Sequence, residues 1–182
     1  MARLRPTSGV QPKIARCTIR RHCCAGLVYS SKLSRRRLRK WGCGLDERHI
    51  ILLFGGTQGE TAIFMLFDES DHARAHCRLR CEYRDNAIES TATDFFQALC
   101  DVRTLLAEDG LVPLCYGASL NVYPSAMARD MGQGLKAYKM ATGRHARRED
   151  LVCIFAEGPD VAPASVAAQE QFWHDWLASP RT

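Results

Sequence analysis

Alternation of apolar and polar residues is clearest in residues 75–84, where odd-numbered positions are apolar and even-numbered positions are polar or charged. Successive side chains of a β-strand point to opposite faces of a sheet, so this pattern predicts a strand with one buried and one solvated face. Asp85 and Asn86 favour a turn directly after it. Residues 87–92 are therefore expected to return as its antiparallel partner.

Three later segments have apolar residues at helical spacing. Thr91 or Thr93 is expected to cap the first helix, Gly143 to end the second, and Ser165 to cap the third. The three predicted stripes are Phe95, Leu99, Val102 and Leu106; Met127, Met131, Leu135 and Tyr138; and Val166, Gln169, Phe172, Trp173, Trp176 and Leu177.

Shorter runs complete the predicted order of elements. Residues 50–56 and 61–67 are β-branched and aromatic and are expected to pair as a hairpin. Residues 111–116 and 151–155 are expected to add two more strands. This order predicts an α+β domain, with a mostly antiparallel sheet and about three helices packed on one of its faces.

The charge is distributed very unevenly along the chain. Residues 1–50 contain 13 Lys/Arg and 2 Asp/Glu, a net charge of +11, whereas residues 51–182 contain 12 and 18, a net charge of −6. Basic runs with little apolar periodicity are typical of a disordered tail, a nucleic-acid-binding tail or an organellar transit peptide. An acidic body is expected to attract basic partners.

The shift in composition divides the chain into two parts. We expect a basic arm at 1–49 and a single α+β domain at 50–182, with its core at 65–179. The arm is interpreted as disordered or as an upstream extension, because Met65 is an alternative start just before the clearest strand.

The composition also limits the compartment and the chemistry. Nine cysteines at irregular spacing without a secretory signal indicate a cytoplasmic protein with free thiols. No apolar run approaches the roughly 18–20 residues of a membrane helix, so no membrane association is expected. Cys77 and Cys81 would share the buried face of one strand, where core packing is favoured over metal binding. We expect no metal and no cofactor.

The candidate site is the segment 115–138, which is rich in glycine and tyrosine. Its Gly132–Lys136 run lacks the spacing of a phosphate-binding loop. Cys115, Ser119 and Ser125 lack a base at a recognisable spacing, so no catalytic residue is assigned. The side chains expected to face a partner or a shallow pocket are Tyr116, Asn121, Tyr123, Arg129, Lys136 and Tyr138.

A second, weaker candidate lies on the solvated face of the strand at 75–84. Arg78, Arg80 and Arg84 are three cations that would bind an anion or an acidic partner. The alternative is a solvated strand, on which arginines discourage edge-to-edge pairing.

The run CYGASLNVYPSAMARDMGQGLKAYKM, followed by DLVCIF, GPDVAPASV and QEQFWHDWLAS, resembles small bacterial proteins of polymorphic-toxin loci. The resemblance covers residues 65–179 and excludes the arm. It implies a cytoplasmic immunity-type protein that neutralises a toxin by direct binding. It carries no catalytic residues, and none are transferred.

These observations favour a non-enzymatic protein-binding module with a toxin-like protein partner. A small enzyme or ligand-binding domain, with its site in 115–138, is the first alternative. Nucleic-acid binding through the basic arm is the second alternative, and it requires affinity that falls steeply with salt.

Overall fold

The computed structural model describes residues 48–55, 58–69 and 76–180. It confirms an α+β fold dominated by antiparallel sheet. The strands are β1 Arg48–Gly55, β2 Gln58–Asp68, β3 Cys77–Tyr83, β4 Asn86–Ala92, β5 Val112–Pro113, β6 Val122–Tyr123, β7 Lys136–Lys139 and β8 Leu151–Cys153. The helices are α1 Phe95–Glu108, α2 Ala126–Gly132 and α3 Val166–Ala178, with 3-10 turns at Tyr116–Ala118 and Arg148–Asp150. The arm predicted at 1–49 lies outside the described residues, except for its last two positions.

The strands form two antiparallel sheets instead of one. The larger has the order β4-β3-β2-β1-β5, and the smaller has the order β6-β7-β8. The alternation predicted for β3 is confirmed, because its odd-numbered positions are buried and its even-numbered positions are partly exposed. Ile51 and Leu53 of β1 and Phe64 of β2 are fully buried. Residues before Met65 therefore supply part of the hydrophobic core.

Helix α1 covers the inner face of the larger sheet. Its predicted stripe, from Phe95 to Leu106, is buried. The prediction of a threonine cap was wrong, because Asp94 is the N-cap and its carboxylate accepts a hydrogen bond from the Gln97 backbone N–H at 2.8 Å. An N-cap residue needs extended backbone and a short acceptor side chain, and Asp94 has both.

The second predicted helix is wrong in its C-terminal half. Helix α2 ends at Gly132, and the chain then reverses through two left-handed residues, Gln133 with φ of 48° and Gly134 with φ of 70°. Leu135 therefore lies outside the helix, and Tyr138 lies on strand β7.

The reversal after α2 is fixed by the start of α1. The backbone N–H of Phe95 donates to the carbonyl of Gln133 at 2.8 Å. A Cβ on Gly134 would lie 2.6 Å from Oδ1 of Asp94. Only glycine combines this close approach with an unstrained positive φ. Gly134 therefore allows the chain to reverse after α2 and to pack against the start of α1.

Helix α3 follows its predicted cap but not all of its predicted contacts. Ser165 accepts a hydrogen bond from the Ala168 backbone N–H at 3.2 Å. Gln169 is the only fully buried residue of α3. Leu177 was predicted to face the core and instead is 46% exposed. The strands predicted at 111–116 and 151–155 are shorter than expected, because both runs continue into turns.

Candidate functional site

A buried arginine, Arg103, forms hydrogen bonds that fix the first half of the 115–138 segment. Arg103 of α1 is only 4% exposed. Its guanidinium donates to the carbonyls of Gly117 and Ala164, at 3.0 and 2.8 Å, and to the side-chain oxygen of Gln169 at 2.6 Å. Burial lowers the pKa of this guanidinium. No carboxylate among the described residues forms an ion pair with Arg103, so neutral oxygens alone compensate its charge.

Gln169 completes this buried network from the other side. Its amide nitrogen is within hydrogen-bonding distance of the carbonyls of Gly117, Ser119 and Val122, at 3.1, 2.8 and 2.8 Å. Arg103 and Gln169 together are called the Arg–Gln clamp below. The clamp joins α1 and α3 to the chain that leads into β6, so this part of the segment is structural.

Two predicted binding residues, Tyr116 and Asn121, lie in this structural half. The Tyr116 hydroxyl donates to Asp160 at 2.6 Å, and this bond raises the pKa of Tyr116 to about 12. Lys139 pairs with the other oxygen of Asp160 at 3.0 Å. The Asn121 side chain donates to the carbonyl of Met140. Neither residue lines the grooves described next.

Helix α2 differs from helices α1 and α3 because none of its residues is buried. Met127 and Met131 are 70% and 79% exposed. Four residues apart on a helix, they lie on the same side of it. The helix begins at Ser125, whose hydroxyl accepts from the Ala128 backbone N–H at 3.2 Å. This cap and the reversal after Gly132 hold a short helix with its methionines in solvent.

Two adjoining grooves flank Met127. The first has a volume of about 520 Å³ and the second about 540 Å³. Both are lined by Ser125, Met127 and Tyr138, so they share a wall; together they are called the methionine grooves. The first also includes Met131, Lys136 and Leu151, and the second includes Tyr123, Met140, Trp173, Trp176 and Leu177.

Aromatic stacking makes the floor of the second groove rigid. Tyr123 stacks on Trp173 with ring centroids 4.6 Å apart, and it meets Phe96 edge to face at 5.2 Å. The Trp176 indole N–H lies within hydrogen-bonding distance of the carbonyls of Ala141 and Arg144. Rings held in this way offer apolar surface with little loss of side-chain entropy on binding.

Arg129 does not line the methionine grooves. Its guanidinium is 3.6 Å from the Asp94 carboxylate and lies above the rings of Phe96 and Tyr123. It lines a separate depression of about 360 Å³. Of the six predicted binding residues, the structure brings three to the grooves, Tyr123, Lys136 and Tyr138.

The second predicted cluster is engaged in local ion pairs. Arg78 pairs with Glu69 and Glu89, and Arg80 pairs with Glu82 and Glu89. The Arg84 guanidinium forms a two-point contact with the carboxylate of Glu60. Carboxylates already neutralise these cations, which favours a solvated sheet surface over an anion site.

The site contains no activated nucleophile. Cys115 is completely buried, and burial raises the pKa of its thiol to about 11. Burial likewise raises the pKa of Cys77 to about 11 and of Cys81 to about 12. Ser119 and Ser125 accept hydrogen bonds from backbone N–H groups at a turn and a helix cap. Within the described ranges, no three His, Cys, Asp or Glu side chains are grouped to hold a metal ion.

Sequence reasoning missed both the clamp and the most exposed apolar residues. Arg103 lies on the buried side of α1, but the hydrophobic pattern could not indicate this because charged residues are normally assigned to solvent. Met127 and Met131 were placed on one helical stripe with Leu135 and Tyr138, without a prediction that they are exposed. The two glycines after Met131 were the available signal, since they indicated that the helix was too short to bury it.

No protein-family model matches this chain, and no curated protein is significantly similar to it. Across the part of the chain that the structure describes, no helix is both long enough and apolar enough to cross a membrane.

Proposed function

We propose that this protein is a non-enzymatic protein-binding module and that the methionine grooves are its binding surface. The observation that carries the proposal is the exposure of Met127 and Met131 on a helix with no buried residue. Contiguous exposed apolar surface beside rigid aromatic rings is typical of protein interaction sites. Flexible thioether side chains suit such a surface, because they adapt to the partner that covers them.

The narrower part of the proposal is an immunity-type inhibitor of a bacterial toxin that acts in the cytoplasm. It rests on the sequence resemblance across residues 65–179 and on the net charge of −6 over residues 51–182. An acidic body accelerates encounter with a basic partner, as a nuclease toxin would be. Inhibition by direct binding also requires no catalytic group, consistent with the high thiol pKa values.

Co-expression with the product of the neighbouring gene tests this proposal. We expect the two proteins to co-purify and cells making the toxin to survive only with the inhibitor. The double variant Met127→Glu/Met131→Glu is expected to abolish both effects, because it places two charges on the apolar surface. Leu105→Glu is the matched control, since Leu105 is 42% exposed and lines neither groove. Equal loss in both variants would contradict a role for the grooves.

A ligand-binding or enzymatic role is the second candidate. Volumes of about 520 and 540 Å³ fall within the range of small-molecule sites. A thermal-shift screen with apolar aromatic fragments tests it. Stabilisation of the wild type that disappears in Met127→Glu would favour this candidate over protein binding. Nucleic-acid binding through the basic arm stays a prediction about residues outside the described part.

A further inference from the structure

We propose that the partner segment in the methionine grooves is an amphipathic helix with acidic residues beside its apolar face. This inference rests on the proposed function and adds the chemistry of the partner. It also departs from the expectation of a wholly basic partner, which was drawn from the net charge of the body.

The lining of the grooves is mostly apolar, so the partner segment must contribute apolar side chains to the centre of the contact. Among the described residues, neither groove is lined by an aspartate, a glutamate or a histidine. Lys136 is the only charged residue in the lining and is exposed. A carboxylate that approaches the first groove therefore meets a cation and no acidic neighbour in the lining.

The loop that contains Ala146, a lining residue of the second groove, carries one further cation that is unpaired among the described residues. Ala146 lines that groove, and it lies in the middle of the basic loop 144–148. Arg144 is paired with Asp150 at 2.8 Å and Arg147 with Glu149 at 3.5 Å. Arg148 is exposed and forms no ion pair with any residue that the structure describes. Lys136 likewise has no carboxylate partner in that part of the chain.

The charge at the grooves thus has the opposite sign to the charge of the body. Residues 51–182 have a net charge of −6, whereas Lys136, the one charged side chain among the described lining residues, is positive. A basic segment would be attracted over a long range and repelled at the contact. An acidic segment gains complementary charge at the contact, where the short separation makes it strongest.

The shape of the site favours a helix over an extended peptide. The second groove lies between side chains of α2 and α3, and the two grooves share the wall around Met127. Two adjoining cavities suit two apolar side chains spaced i and i+3 or i+4 on one helical face.

A displayed library of 16-residue peptides, selected against the wild-type protein, tests this inference. Counter-selection against Met127→Glu/Met131→Glu retains only peptides that need the grooves. We expect the enriched peptides to combine apolar residues at i, i+3 or i+4 and i+7 with flanking Asp or Glu. A central proline is expected to abolish their binding, because proline breaks a helix.

The charge reversal Lys136→Glu is the decisive variant, because Lys136 is the charged residue of the lining. We expect it to weaken the selected peptides at least about tenfold, whereas Leu105→Glu leaves them unchanged. Groove-dependent peptides that are basic, or that bind the charge-reversed variant equally well, would overturn the acidic assignment and leave the proposed function standing. Peptides that tolerate the central proline would overturn the helical assignment. An absence of groove-dependent peptides would contradict this inference, while co-purification judges the proposed function separately.

Discussion

Arg103 and Met127 both lie in environments that their residue types usually avoid. Arg103 is charged and 4% exposed, whereas Met127 is apolar and 70% exposed. The arginine is fully compensated, because three oxygens accept its hydrogen bonds within 3.0 Å. Nothing comparable covers the methionine, whose neighbours are two open grooves.

The unusual burial of Arg103 is explained by its role in the fold, whereas the unusual exposure of Met127 requires a functional explanation. A buried charge that is entirely satisfied contributes to one specific arrangement of the chain, and its removal leaves buried acceptors unpaired. A contiguous exposed apolar surface contributes little to folding and is typical of a site of contact with another molecule. We therefore expect the clamp to dominate stability and the methionine grooves to dominate binding.

The largest effect on stability is expected for Arg103→Ala. It removes a donor to the carbonyls of Gly117 and Ala164 and to the Gln169 side chain, leaves a cavity, and should lower the free energy of unfolding by about 3–5 kcal/mol. Urea denaturation measures this. The control is Thr104→Ala, which removes a hydroxyl and a methyl group from an exposed residue at the neighbouring position. A loss below about 1 kcal/mol would contradict the expectation that the Arg–Gln clamp dominates stability.

Gln169→Leu is expected to follow at about 2–3 kcal/mol, because the carbonyls of Ser119 and Val122 lose their side-chain donor and Arg103 loses an acceptor. The double variant with Arg103→Ala sharpens the comparison. Residues of one hydrogen-bonded network are not additive, so the double variant should lose less than the sum of the single losses. Strict additivity in urea denaturation would show that the two side chains act independently.

Asp160→Asn tests a satisfied polar group at the surface, and we expect a loss below about 1 kcal/mol because the side chain is half exposed. The Tyr116 hydroxyl, and then Lys139, lower the pKa of Asp160 below its usual 3.8. The folded pKa is lower than the unfolded one, so the stabilisation is present above pH 3.8 and is lost as pH falls through the folded value. Stability curves of both proteins should therefore converge in acid. A constant difference at every pH would contradict this account.

The smallest effect on stability is expected for Met127→Ala/Met131→Ala, with a change within about 0.5 kcal/mol. Both side chains are largely exposed, so truncation creates no cavity. The same variant should bind the partner at least about tenfold more weakly in a titration, since methionines at the centre of a contact supply apolar area. A large loss of stability with unchanged binding would reverse the comparison.

Much of the fold could be predicted because the local residue patterns specify the same elements that the tertiary contacts stabilise. The alternation at 75–84 became strand β3, and the stripe from Phe95 to Leu106 became the buried face of α1. Ser165 capped α3 as expected. In each case the pattern and the tertiary contacts favour the same structure.

The candidate site was located only in part. Tyr123, Lys136 and Tyr138 lie at the methionine grooves, but Tyr116 and Asn121 are engaged in local hydrogen bonds. Sequence alone could not separate these groups, because side-chain polarity does not show which partner each group finds. Asp160 lies 44 residues from Tyr116 in the chain, and only folding brings them together.

The sequence by itself determined the class of fold, the alternation of the sheet and the concentration of unusual residues in 115–138. These are properties of short segments, for which backbone geometry and burial dictate the residue pattern. Only the tertiary structure decided that α2 stops at Gly132, because the stop depends on Gly134 meeting Asp94 across the fold. Met131 is left in solvent, and a predicted helical stripe thereby became a candidate binding surface.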